Sequence, residues 1–138
     1  MQIKYKLNQA DFETIFNFLS ERSYWSNGIS KDCLKRACDN SLCFVIQNNN
    51  TLCAFARVVT DQATFANLLD VFVLEKYRGQ GIGKKLITAI IEDEKLQGLR
   101  RFTLATKDAH DLYAQYNFAK PIYPEGMMEI YKPNIYLE

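Results

Sequence analysis

The sequence is poor in the residues that most metal and triad chemistry requires, and it carries no surplus of either charge. It has one histidine and three prolines, and its 17 Lys and Arg stand against 16 Asp and Glu for a net charge of +1. Near-neutrality gives no electrostatic argument for nucleic acid or an anionic membrane, since both are bound through a basic surface or stripe. The lone histidine, His110, is a poor start for a metal site or a triad and reads as an exposed residue at a helix start. Cys33, Cys38, Cys43 and Cys53 lack the paired Cys-x-x-Cys spacing of zinc sites, and Cys43 and Cys53 fall in apolar runs where a reduced thiol is a small buried hydrophobe. No metal is expected. The first residues, MQIKYKLNQADF, have no apolar core of signal-peptide type, and no later run is long enough to span a bilayer. The expectation is a cytoplasmic protein with no nucleic-acid or membrane partner.

What remains is the composition of one globular domain, read over residues 1–138, with 48% hydrophobic and 24% charged residues. Alternation in QIKYKL predicts a short strand over residues 2–7, and Phe12, Ile15, Phe16, Phe18 and Leu19 follow helical spacing behind Asn8 or Asp11 as cap. Asn27-Gly28 marks a turn, and Ser30 is placed to cap a second helix over residues 31–38. Residues 41–47 and 52–60 read as a hairpin about Asn48-Asn49-Asn50-Thr51, followed by a third strand that begins near Thr64 or Phe65 and runs to Leu74. Residues 101–106 form a strand that follows a helix and is therefore parallel to its predecessor; 109–116 is a short helix, and MMEIYK, residues 127–132, is read as a last strand.

The chain turns on residues 67–94. The apolar run Leu68 to Leu74 is broken only by Asp70 and ends in Arg78-Gly79-Gln80-Gly81-Ile82-Gly83, after which Ile82, Leu86, Ile87, Ile90 and Ile91 recur at helical spacing. Backbone N–H groups at such a helix start lack intrahelical partners and carry the positive end of the dipole, so a phosphate group fits there, and glycine lets it approach. Two better-known phosphate loops fail on spacing: Gly83-Lys84 is followed by Lys85 rather than Ser or Thr, and only Ile82 separates Gly81 from Gly83.

The segment Arg78 to Gly83 resembles the Arg/Gln-x-x-Gly-x-Gly/Ala signature of the GNAT superfamily of N-acetyltransferases. A second segment, Ala109-His110-Asp111-Leu112-Tyr113-Ala114-Gln115-Tyr116-Asn117-Phe118, resembles the family's A-x-x-L-Y-x-x-x-G-F, with Asn117 in place of glycine. Asparagine also tolerates the left-handed conformation of a helix end. The element order β-α-α-β-β-β-α-β-α-β, an α/β mixed sheet, matches the GNAT-like fold over nearly the whole chain. The resemblance implies acetyl-CoA as co-substrate, a small-molecule or peptide amine as acceptor, and direct transfer; a non-catalytic acyl-CoA-binding or regulatory domain is the alternative. Dimers are common in the family, and a homodimer is therefore admitted.

The resemblance also implies roles. Backbone groups at Phe72 and Val73 would hold the pantetheine arm and acetyl carbonyl, and Arg78, Gly79, Gln80, Gly81, Ile82, Gly83 and Lys84 the pyrophosphate. Tyr113 would protonate the departing thiolate, a task suited to a phenol whose ordinary pKa of roughly 10 keeps it protonated at neutral pH; the plainer reading is one aromatic on the inner face of a short helix. For a base, Asp70 interrupts an apolar strand where burial would raise its pKa, with Asp61 at the preceding turn as the other candidate. An ion pair between Asp70 and Arg57 on the adjacent strand is the structural alternative. Tyr24 and Trp25, aromatics on a loop, either cover the end of the core or line an acceptor pocket.

Overall fold

The first two helices begin where side chains supply the partners that a helix start lacks. The computed structural model describes residues 1–138. Helix α1 spans Gln9–Glu21; the Asn8 side chain accepts from the Asp11 N–H at 2.7 Å and the Asp11 carboxylate accepts from the Asn8 N–H at 3.1 Å. Both capping candidates thus act, as the two halves of a capping box. Helix α2 spans Lys31–Asp39, and the Ser30 hydroxyl accepts from the Cys33 N–H at 3.1 Å.

Strands β1 (Gln2–Lys4), β2 (Leu42–Asn48), β3 (Thr51–Thr60), β4 (Phe65–Val73) and β5 (Arg101–Leu104) lie side by side in chain order. All neighbours are antiparallel except β4 and β5, which are parallel. That change of direction needs a crossover, supplied by helix α3 (Ile82–Glu92), whereas β2 and β3 need only the Asn49-Asn50 turn, with φ of 52° and 65°. A short helix α4, His110–Ala114, follows β5.

Two apolar cores flank the sheet. On one face Leu86, Ile87 and Ile90 of α3 pack on Phe44, Ile46, Ala56 and Leu68; on the other, Ile15, Phe18 and Leu19 of α1 and Leu34 of α2 pack on Val45, Phe55 and Phe72. Leu68 and Phe72 are four residues apart and would share a face in a regular strand, yet they enter opposite cores. The cause is a bulge: the β3–β4 register shifts between Phe55 and Arg57, and Asp70 opposite adopts φ of 55°. Past the bulge Phe72 stacks on Phe18 with ring centroids 4.1 Å apart, and burial of one such side chain contributes about 1.5–3 kcal/mol.

The same strand opens the sheet. Pairing between β4 and β5 runs from Phe65/Arg101 to Leu68/Leu104 and stops, while β4 continues to Val73. A cleft therefore opens between the strands on the side of the glycine turn.

The expected last strand is not formed. Residues 127–132 pair with no other strand, and Met128 and Ile130 are 98% and 95% exposed. Pro121 and Pro124 divert the chain after α4, a single 3-10 turn covers Pro124–Gly126, and a second over Ile135–Leu137 ends against Gly28. Local alternation without an edge to pair with is insufficient for a strand. No helix is long and apolar enough to cross a membrane.

Candidate functional site

After β4 a 3-10 turn over Glu75–Tyr77 delivers the chain to the glycine segment. Gly79 and Gly81 both adopt φ of 78°, and a Cβ at either would meet no atom within 4 Å. Glycine is needed here for backbone angle, and the space it leaves is open. Gly81 is the N-cap of α3 and supplies no capping side chain, while the first intrahelical bond runs from the Lys85 N–H to the Gly81 carbonyl at 3.1 Å. The N–H groups of Ile82, Gly83 and Lys84 thus lack helical acceptors and face outward with the positive end of the dipole. Backbone donors, an open approach and a favourable dipole fit a diphosphate. Arg78 folds back on the end of β4, its Nε donating to the Val73 carbonyl at 3.0 Å, and Lys84 is exposed.

The Leu74 N–H donates to the Cys53 carbonyl of β3 at 2.8 Å. Backbone groups of successive strand residues point to opposite sides, so Val73 turns its N–H and C=O toward the cleft and Phe72 turns its own toward β3. Of these two expected cofactor contacts, Val73 borders the opening; Phe72 supports it from within the core.

Tyr113, on α4, packs edge-on against Phe118 at 6.0 Å and is 7% exposed. Its hydroxyl has no hydrogen-bond partner in the protein, and, since no buried side-chain polar atom is left unsatisfied, it keeps some access to solvent. Burial and then the phenol of Tyr24 push the Tyr113 pKa above its ordinary value. Tyr24 belongs to the α1–α2 loop, and Tyr113 packs in the core on the opposite face of the sheet. Tyr24 is 63% exposed, with the Lys107 ammonium 5.3 Å from its ring centroid and the Trp25 ring edge-on at 5.0 Å. Tyr116 instead ties α4 to α3, its hydroxyl 2.9 Å from the Thr88 hydroxyl and 3.0 Å from the Lys84 carbonyl.

Asp70 is 8% exposed and both its oxygens are occupied. The Trp25 indole N–H donates to Oδ1 at 2.8 Å and Arg57 Nε to Oδ2 at 2.5 Å, while Arg57 Nη1 reaches the Ser41 hydroxyl at 3.2 Å. The ion pair weighed for Asp70 is formed, and Trp25 joins it. Asp61 stands apart from this group. It closes the β3–β4 turn, accepting from the Thr64 hydroxyl at 2.6 Å and from the N–H groups of Ala63, Thr64 and Phe65. These bonds, the Thr64 hydroxyl foremost, hold its carboxyl far below the usual carboxylate range. It lies at the paired end of β4, away from the opening.

The structure thus ties Tyr24, Trp25 and Asp70 together, sets Val73 and the glycine segment at the unpaired end of β4 and Tyr113 on the helix after β5, and leaves Asp61 at the paired end. It adds Ser41 and Lys107, which sequence patterns do not single out because each arrives through a loop. The acetyltransferase (GNAT) domain model matches residues 39–120, more than half of the chain and the whole span from β2 to the end of α4. The chain belongs to the GNAT family. A crystal structure of a candidate GNAT acetyltransferase from Xanthomonas campestris is 43% identical, covers 99% of this chain and 97% of its own, and superposes with a TM-score of 0.92. N-acetylglutamate synthase of Neisseria gonorrhoeae, solved with coenzyme A and N-acetyl-glutamate, has the same fold at 16% identity and a TM-score of 0.68, over 83% of this chain and 27% of that one. A candidate acetyltransferase of Gibberella zeae is 26% identical over 70% of this chain, which spans 65% of that protein's length.

Proposed function

We propose that this GNAT domain is an acetyl-CoA-dependent N-acetyltransferase that transfers acetyl directly to the primary amine of a small molecule or peptide. The observation that carries the reading is the glycine turn beyond the free end of β4, with its unpaired backbone donors and open approach, together with a Tyr113 phenol that burial keeps protonated and that has no protein partner. The backbone donors from Gly79 to Lys84 hold the pyrophosphate, and the Val73 N–H, with the carbonyl of the same residue engaged by Arg78 Nε, aligns the pantetheine arm so that the thioester reaches the opening. Lys84, exposed beside the turn, and Arg78 add positive charge near the phosphates. The neutral acceptor amine attacks the thioester carbonyl, the C–S bond breaks and Tyr113 donates its proton to the leaving thiolate; the proton shed by the acetylated nitrogen passes to water, from which the Tyr113 phenolate is reprotonated.

Asp70 is the less direct member of the group. With one oxygen on Arg57 and the other on Trp25, it acts as a positioning residue that fixes the indole at the wall of the acceptor opening; service as the base would first require it to release a partner. Neutral amine from solution meets the need for a base, because a fraction of any primary amine is unprotonated at neutral pH.

Supplying acetyl-CoA with a panel of free amines and a lysine-containing peptide tests the reading through release of the CoA thiol and the mass of the acetylated product. Amine-dependent release is expected. Binding of acetyl-CoA without transfer to any amine would leave the acyl-CoA-binding domain as the function.

A further inference from the structure

Helix α4 is fastened to the rest of the fold by one hydroxyl. It has five residues, well short of the roughly 12–15 at which a helix begins to be stable by itself, and its N-cap, Ala109, offers no side chain to the unpaired donors of the first turn. Its position is therefore set by what it touches. Ring contacts supply part of this: Tyr113 packs on Phe118 with centroids 6.0 Å apart, and Phe118 on Phe102 of β5 at 5.4 Å. Apolar burial is largely non-directional, so it holds the helix on the sheet without fixing its register.

The directional contacts come from Tyr116. Its hydroxyl lies 3.0 Å from the Lys84 carbonyl and 2.9 Å from the Thr88 hydroxyl, and every other hydrogen bond made by residues 106–118 stays within that segment. A carbonyl only accepts, so the phenol proton goes to Lys84 and the Thr88 hydroxyl donates to the phenol oxygen. Lys84 and Thr88 stand one turn apart on α3, and the phenol is clasped between them. Tyr116 is tied just as directly to the proposed acid, its N–H donating to the Tyr113 carbonyl at 3.0 Å. On the far side of the clasp, Lys84 lies in the first turn of α3, and its N–H is one of the unpaired donors at the glycine turn. One residue thus offers its N–H to the phosphate side and its carbonyl to Tyr116.

We infer that Tyr116 is a positioning residue: clasped by Lys84 and Thr88, its hydroxyl sets α4 in register with the start of α3 and so fixes the place of the Tyr113 phenol relative to a CoA held at the glycine turn. The inference rests on the function proposed above and adds a residue to it without altering the reaction. Tyr116 acts through Tyr113. Proton transfer to the leaving thiolate requires the donor within hydrogen-bond reach, and a misplacement of about 1 Å lowers a rate by as much as a hundredfold.

The test uses the full chain with acetyl-CoA and the best amine of the panel, in Tyr113→Phe, Tyr116→Phe and Thr88→Val and in each of the last two combined with Tyr113→Phe. Tyr116→Phe keeps the ring and removes only the hydroxyl. It should lower kcat about tenfold at saturating substrates and leave the calorimetric Kd for acetyl-CoA within about twofold; Thr88→Val, which spares the Lys84 bond, should lower kcat about threefold. Neither change should lower kcat further in the Tyr113→Phe background, because the group being positioned is gone. Hydrogen exchange read by mass spectrometry should quicken over residues 106–118 in Tyr116→Phe and stay as it was in β2 and β3. Full kcat in Tyr116→Phe, an equal loss with and without the Tyr113 hydroxyl, a loss confined to acetyl-CoA affinity, or unchanged exchange over the segment each overturns the inference while acetyl transfer itself stands. Full turnover in Tyr113→Phe removes the acid and the inference with it, and failure of every amine with the unaltered protein removes the proposed function and the inference together.

Discussion

Burial and the neighbouring Tyr24 phenol raise the Tyr113 pKa, so this side chain remains a proton donor throughout the range where amines become neutral. Its folded pKa lies above the unfolded value of about 10, so its contribution to stability is complete below that pH and is lost as pH rises through the folded value. Tyr113→Phe should lower kcat about a hundredfold while leaving acetyl-CoA affinity within about twofold, measured at saturating amine across pH 7 to 10. Unchanged turnover would reassign Tyr113 to packing. For Asp70 the expected change is in stability: Asp70→Asn sets an amide against the Arg57 guanidinium and leaves its charge unpaired, at a cost of roughly 3 kcal/mol or about 10 °C in Tm. A variant that melts like the parent but loses the acidic limb of its kcat/KM profile would instead make Asp70 the base. Tyr113 is legible in the sequence because its whole motif is local. For Asp70 the sequence offers base and Arg57 ion pair side by side, and the pair is formed; what it does not reveal is Trp25, which arrives from a loop, and the bulge, which has no pattern of its own.

Among the elements, those set by neighbouring residues read most clearly. The caps at Asn8, Asp11 and Ser30 and the Asn49-Asn50 turn use chemistry within three or four residues of chain, and all form as the residue types dictate. The last strand fails for the opposite reason: MMEIYK alternates correctly, but pairing depends on an edge that the path after Pro121 and Pro124 does not reach. The glycine turn is a local element too, and its central claim is mechanical. Gly81 sits at φ of 78° with open space where a side chain would go. Gly81→Val forces a β-branched residue into the left-handed region, costing about 1–2 kcal/mol, and places methyl groups where phosphate oxygens approach. Calorimetry should give an acetyl-CoA Kd at least tenfold higher for this variant. An unchanged Kd would move the pyrophosphate away from the turn.

At the scale of the molecule, one bulge organises the rest. It sends Phe72 into the second core, lets β4 run past the end of β5, and puts Asp70 where loop and strand meet. The sheet opens on the side where α3 begins, which is where the proposed phosphate turn stands. The order of elements and the glycine spacing make this architecture readable before any coordinates, except for the tail, whose course depends on contacts made across the fold at Gly28. The measurement closest to the central claim is the melting temperature with ligand. Acetyl-CoA at a hundred times its Kd should add about 2.7 kcal/mol and raise Tm by several degrees, whereas ATP, which shares phosphates but not the pantetheine arm, should leave it where it was. A rise with ATP and none with acetyl-CoA would contradict the account.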